Sequence, residues 1–225
     1  RNDRAMPPSP YRSVDAGSVG NMVAGYPLQI FHPEDRRLLD TADFLCEQCF
    51  VDGAFFQEMI HSGMNPYLTL HIAQVYLRAG RMDAWPILRR VADLASPTGK
   101  WPEAVHPNTG GGCMGDGEHG WAAADWVLMV RNLFLREEGE NRLYVGSGLP
   151  EEWLTSGTSL AFGPTGTRYG SAEVELTVTD ENLEVTFESD SSFPTPEVVL
   201  DLDGFSSKTV HDDQFRTVLT GWDSC

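Results

Sequence analysis

The residues best equipped for chemistry fall in one stretch, residues 96–121. It reads Ser96-Pro97-Thr98-Gly99-Lys100-Trp101-Pro102-Glu103-Ala104-Val105-His106-Pro107-Asn108-Thr109 and then, after a glycine tract, brings Asp116, Glu118, His119 and Trp121. Proline restrains the backbone beside Glu103, and tryptophan offers an apolar face of the kind on which sugar rings stack. A carboxylate in such a setting can act as a general base that takes a proton from water. The glycines between Thr109 and Gly117 let the backbone approach a ligand closely. Trp101, His106, Asp116, Glu118, His119 and Trp121 are the candidates for lining the same site. The plainer alternative makes Glu103 a surface acid in a loop. Asp116 and Glu118 stand at the head of an apolar helix, where the helix dipole favours acids whatever the function.

A second stretch, Phe55-Phe56-Gln57-Glu58-Met59-Ile60-His61-Ser62-Gly63-Met64-Asn65, supplies Glu58, His61 and Asn65, polar groups able to hydrogen-bond sugar hydroxyls. The alternative is that Glu58 and Asn65 cap helices while Phe55, Phe56 and Met59 pack a core. Cleaving a glycosidic bond with inversion needs two carboxyl groups about 6.5–9.5 Å apart, one an acid and one a base that activates water. Glu103 is the candidate base; Glu58 is also weighed as the acid.

These stretches need elements to hold them. Residues 33–50 carry Leu38, Leu39, Ala42, Leu45, Cys46 and Cys49 at helical spacing, with Pro33, Glu34 and Asp35 suited to a helix start. Helices are also predicted over residues 66–77, with Gly80 as a stop, and 84–94, with Asp83 as a cap. Residues 120–134 are apolar nearly all round, which predicts a buried helix. Between the helices, residues 51–65 and 96–119 read as long loops, and such loops often carry function. Beyond residue 141 the texture changes to alternation. Val174, Leu176 and Val178 face one way and acids or Thr the other, and further strands are predicted over 182–188, 197–202, 207–210 and 214–219.

Composition narrows the partners. The 225 residues carry a net charge of −17, and of 16 basic residues only Lys100 and Lys208 are lysines. An acidic, lysine-poor surface suggests adaptation to high salt. It argues against nucleic acid, since no basic patch is present to neutralise phosphates. No apolar run reaches the roughly 20 residues that cross a bilayer, so no membrane partner is expected. The start Arg1-Asn2-Asp3-Arg4 is not a signal peptide. The expectation is a cytoplasmic protein, either processed or a piece of a longer chain. Cys46-x-x-Cys49 has no second pair, so both read as half-buried helical cysteines; Cys113 and Cys225 complete the set. His61, His106 and His119 lack metal-site spacing, so no metal is expected. The glycine tract lacks the Lys-Ser/Thr of a phosphate loop, and no cofactor is implied.

The pattern W-P-E-A-V-H-P-x-T-G from Trp101, the glycine-rich stretch, and E-H-G-W-A-A-A-D-W from Glu118 together resemble the end of the catalytic toroid of six-hairpin glycosidases. They are most similar to bacterial and archaeal glucoamylases, in which the glutamate matching Glu103 is the general base. The layout also resembles α-L-rhamnosidases, with Gly163-Pro164-Thr165-Gly166-Thr167-Arg168-Tyr169-Gly170 similar to the entry of their C-terminal domain. The resemblance implies a mainly α then β protein: a partial (α/α)6 toroid of about four or five helices over residues 1–140, then a small antiparallel β-sandwich over 141–225. It implies an inverting glycoside hydrolase acting on an oligo- or polysaccharide. The full toroid has twelve helices and takes its general acid from an earlier hairpin. A missing N-terminal part or a partner chain would therefore complete the barrel. Gly120 and Trp121 depart from the glucoamylase pattern and the glycine tract is richer, so glucose, rhamnose and uronic acids are all open. Two rivals stand beside this expectation. One is a non-catalytic carbohydrate-binding or assembly protein on a degenerate toroid. The other is a sugar epimerase or polysaccharide lyase, whose proton abstraction favours paired His or a Tyr/His/Arg set over opposed carboxylates.

Overall fold

The computed structural model describes residues 5–58, 62–190 and 195–221. The chain divides into two compact units at Met129/Val130, inside a helix. The first unit holds a 3-10 helix (Ala16–Ala24), α1 (Arg36–Cys49), β1 (Phe50–Val51), β2 (Ala54–Gln57), β3 (Gly63–Met64), α2 (Pro66–Arg78), α3 (Ala84–Asp93), β4 (Ala104–Val105), β5 (Gly112–Met114) and the start of α4 (Gly120–Phe134).

Asp35 caps α1: its carboxylate accepts from the Arg37 N–H at 2.9 Å, and the helix begins at Arg36. The apolar stripe Leu38, Leu39, Ala42 and Leu45 is buried. α2 opens on Pro66, whose missing N–H costs nothing in a first turn. It is the central helix of the unit. Leu70, Ile72, Ala73, Val75 and Tyr76 are all but inaccessible, and α1, α3, β2 and the 3-10 helix pack around it. A helix buried on every side needs its polar groups satisfied. Thr69 Oγ1 donates to the Asn65 carbonyl at 2.6 Å and accepts from the Phe55 N–H at 3.0 Å, tying β2 to α2.

The expected partial toroid is not what the first unit forms. The two segments read as loops fold into one five-stranded sheet of very short strands, in the order β1-β2-β3-β4-β5. All its pairings are antiparallel, with Phe50 opposite Phe55, Phe56 opposite Met64 and Met64 opposite Val105. The unit is therefore mixed α and β. The glycine tract serves this sheet. Gly110 takes φ +67° in the β4–β5 turn, and the His106 N–H donates to the Gly111 carbonyl at 2.8 Å to close it. Gly63 is needed for close approach: a Cβ there would meet Cys113 Sγ at 2.8 Å and Ala104 Cβ at 2.9 Å. The expected burial of α4 also fails. Ala122, Met129 and Leu133 are buried, but Trp121 is 53% exposed and Val127 67%.

The second unit carries β6 (Leu135–Glu138), β7 (Arg142–Val145), a 3-10 turn (Glu151–Trp153), β8 (Ser159–Thr167), β9 (Gly170–Val178), β10 (Asn182–Ser189), β11 (Glu197–Leu200), β12 (Lys208–Val210) and β13 (Gln214–Thr220). It forms two four-stranded sheets, ordered β13-β10-β9-β8 and β12-β11-β7-β6. The first is antiparallel throughout, with Val185 opposite Leu176 and Phe187 opposite Val174, all buried. In the second, β11 runs parallel to β7, Val198 beside Leu143 and Leu200 beside Val145. The expected all-antiparallel sandwich is corrected by that pair: the strands that meet are distant in sequence, and local alternation cannot show their direction. Phe134 and Phe162 stack at 4.8 Å in this unit. Among the described residues, no helix is long and apolar enough to cross a membrane.

Candidate active site

Two helices each present a pair of side chains four residues apart, and such pairs share one helix face. On α2 the pair is Tyr67 and His71; on α4 it is Trp121 and Asp125. The two faces meet. The His71 Nε2–H donates to Asp125 Oδ2 at 3.0 Å. The Tyr67 ring lies 4.6 Å from that of Trp121, with His119 at 5.0 Å from Tyr67 and His71 at 5.9 Å from Trp121. Tyr67 and His71 are buried, whereas Trp121 leaves half its surface in solvent. The cluster thus has a closed polar floor and an open aromatic rim.

Glu103 sits just before β4, half-buried. Its backbone N–H donates to the Met114 carbonyl at 3.2 Å, which pins it to the edge of the β4–β5 hairpin. Its carboxylate acts on the same cluster. The Tyr67 phenol is pushed above its ordinary pKa first by burial and then by the charges of Glu103 and Asp125. The phenol therefore stays a neutral O–H donor with a carboxylate on two elements within electrostatic reach.

The remaining sequence candidates take various places. Trp101 is only 6% exposed; its Nε1–H donates to the Val91 carbonyl at 2.8 Å and its ring packs 5.2 Å from Trp126. It is a strut rather than an open platform. Its carbonyl accepts from the His119 N–H at 2.8 Å, which sets His119 at the head of α4. The His119 Nδ1 is buried and makes no hydrogen bond to any described residue. His106 belongs to the hairpin turn, where its Nδ1 accepts from the Asn108 N–H at 3.2 Å. Asp116 accepts from the Glu118 N–H at 3.0 Å, and Glu118 pairs with Lys100, all at the surface. Asn65 is 1% exposed beneath the start of α2; its amide donates to the Gly63 carbonyl at 3.4 Å and its Oδ1 makes no hydrogen bond to a described residue. Glu58 is exposed at the end of β2, and its charge, after burial, helps raise the Cys49 thiol pKa. His61 lies outside the described residues.

Of the sequence candidates, His119 and Trp121 meet in one cluster, and the charge of Glu103 reaches the Tyr67 phenol within it. Tyr67, His71 and Asp125 join them and were not singled out by sequence reasoning. A signal for them exists: His71 is the lone histidine of an apolar helix, and Asp125 the lone acid of α4. Among the described residues, no group of three or more His, Cys, Asp or Glu is arranged to hold a metal ion.

No protein-family model matches the chain, and no curated protein matches it. Two solved structures are similar to part of it, a glycosidase in its wild-type form and a glycosidase variant. Each is 20% identical with a TM-score of 0.45, over 55% of this chain and 37% of the other. The chain spans little more than a third of the length of those two proteins.

Proposed function

We propose that the cluster is part of a glycoside-hydrolysing site that works by inversion on an oligo- or polysaccharide. Glu103 is the general base and takes a proton from the attacking water. Trp121 and Tyr67 form the stacking surface for a sugar ring, and His119 hydrogen-bonds a hydroxyl. His71 fixes the rotamer of Asp125 and keeps that carboxylate aimed at the Tyr67 side of the site. Inversion also requires a second carboxyl group that protonates the leaving oxygen. The observation that carries the reading is the Tyr67 phenol, influenced by the carboxylates of both Glu103 and Asp125 beside a half-exposed tryptophan. Carboxylates with an open aromatic face are the parts that glycoside hydrolysis uses.

A panel of α-linked oligosaccharides, given to the longest native form of the protein, tests this. Released sugar of inverted anomeric configuration, followed by proton NMR, is the expected result. Retention of configuration, or no release from any member, contradicts it.

One observation favours a second reading. Tyr67, His71 and His119 lie within one set of ring contacts, and a Tyr/His set is what proton abstraction next to a carbonyl or carboxylate employs. A sugar epimerase or polysaccharide lyase would give an epimer or an unsaturated product from the same panel extended to uronic acid polymers.

A further inference from the structure

A cavity of about 350 Å³ opens at the far end of α2, beside Tyr76. Tyr76 stands about 14 Å further along that helix than Tyr67, so the cavity is separate from the cluster above. Its size lies near the lower end of the range for small-molecule sites, about 300–1,000 Å³.

Cys46, Phe50, Pro86 and Ile87 give the wall apolar surface, and Asp43, Glu47, Asp83 and Arg81 line it among them. The polar groups are built in rather than loose. Asp43 Oδ1 accepts from the Tyr76 hydroxyl at 2.9 Å and from Arg81 Nη1 at 2.6 Å. Arg81 Nε donates to Asp83 at 2.9 Å, and the guanidinium lies 4.3 Å from the centre of the Tyr76 ring. The single cation is thus already shared between two carboxylates, and Glu47 stands exposed at the rim. Three carboxylates against one guanidinium leave the cavity negative, which repels an anion and attracts a cation.

We propose that this cavity binds a small organic cation with an apolar body, a primary amine of the size of a phenylalkylamine. The ammonium group donates to the carboxylates of Asp43 and Glu47, since acceptors outnumber donors in the lining. The apolar body displaces water from Phe50, Pro86 and Ile87. Nothing in the site takes part in hydrolysis, so the proposal stands apart from the glycosidase reading.

Benzylamine, benzyl alcohol and benzoate are matched probes, titrated into the intact chain and followed by calorimetry. Benzylamine is expected to bind about tenfold or more tightly than benzoate, with the alcohol between them, and to weaken in high salt. Ile87→Phe fills the cavity and is expected to weaken benzylamine by about tenfold. Glu47→Lys, an exposed change that spares the fold, is expected to weaken it several-fold. Equal binding of benzylamine and benzoate, no binding of benzylamine, or unchanged binding in both variants overturns the proposal.

Discussion

His71 and Asp125 are 54 residues apart in sequence and meet at 3.0 Å, joining the middle of α2 to the first turns of α4. Both side chains are largely shielded, His71 more than Asp125. A hydrogen bond to a charged group in such a place contributes about 1.5–3 kcal/mol. His71→Gln and Asp125→Asn are each expected to lower stability by about that amount, read from urea denaturation. The double variant is expected to cost less than the sum, since the two groups act as one contact. Full additivity would show that they do not support each other.

Trp101 looked in sequence like a sugar platform and stands instead as a strut beneath His119. Trp101→Phe keeps most of the buried ring but removes the donor to the Val91 carbonyl. A carbonyl left buried without its partner costs about 1–3 kcal/mol. The variant should lose that much stability while KM stays unchanged; a large rise in KM with stability intact would return Trp101 to the substrate.

Trp121 has the opposite profile, because half its surface already meets water. Trp121→Ala should change the denaturation midpoint little. Its loss from a stacking contact should weaken sugar binding by about 0.5–1.5 kcal/mol, a factor of about 2–12. Unchanged affinity for every sugar that the native protein binds would remove it from the site.

The cap of α1 gives a pH dependence with a definite sign. Asp35 is held down to about 2, chiefly by the hydrogen bond from the Arg37 side chain. Its contribution to stability is therefore complete above the ordinary carboxylate value of 3.8 and fades as the pH falls towards 2. Asp35→Ala is expected to cost about 1 kcal/mol at neutral pH, as other N-cap replacements do. The gap between the two proteins should narrow steadily as the pH falls from 4 through 2 on parallel denaturation curves. A gap that keeps its neutral-pH size at pH 2 would show that the carboxylate's charge is not its source.

Much of the secondary structure is legible in the sequence, because long periodic segments announce themselves. Leu38, Leu39, Ala42 and Leu45 mark α1, and Val174, Leu176 and Val178 mark β9. β1 to β5 are hidden, since strands of two to four residues have no room for a period. Their pairing, such as Met64 opposite Val105, is set by contacts far along the chain. The parallel match of β7 with β11 is hidden for the same reason. The burial of α4 is not legible because packing, not composition, decides it: α2 is enclosed despite Thr69, His71, Gln74 and Arg78, while the more apolar α4 leaves Trp121 and Val127 in solvent. The candidate cluster is legible in part where its groups are close in sequence, as His119 and Trp121 are. Tyr67, His71 and Asp125 enter it only because two helix faces meet.

The central claim is that the Glu103 carboxylate activates water, and Glu103→Gln in the longest native form tests it most directly. The substitution keeps the shape of the side chain and leaves the backbone bond to Met114 in place. Hydrolysis of the best oligosaccharide substrate should fall by about 10²–10⁴-fold in kcat with KM and the denaturation midpoint nearly unchanged. A variant that hydrolyses at the native rate would contradict the account.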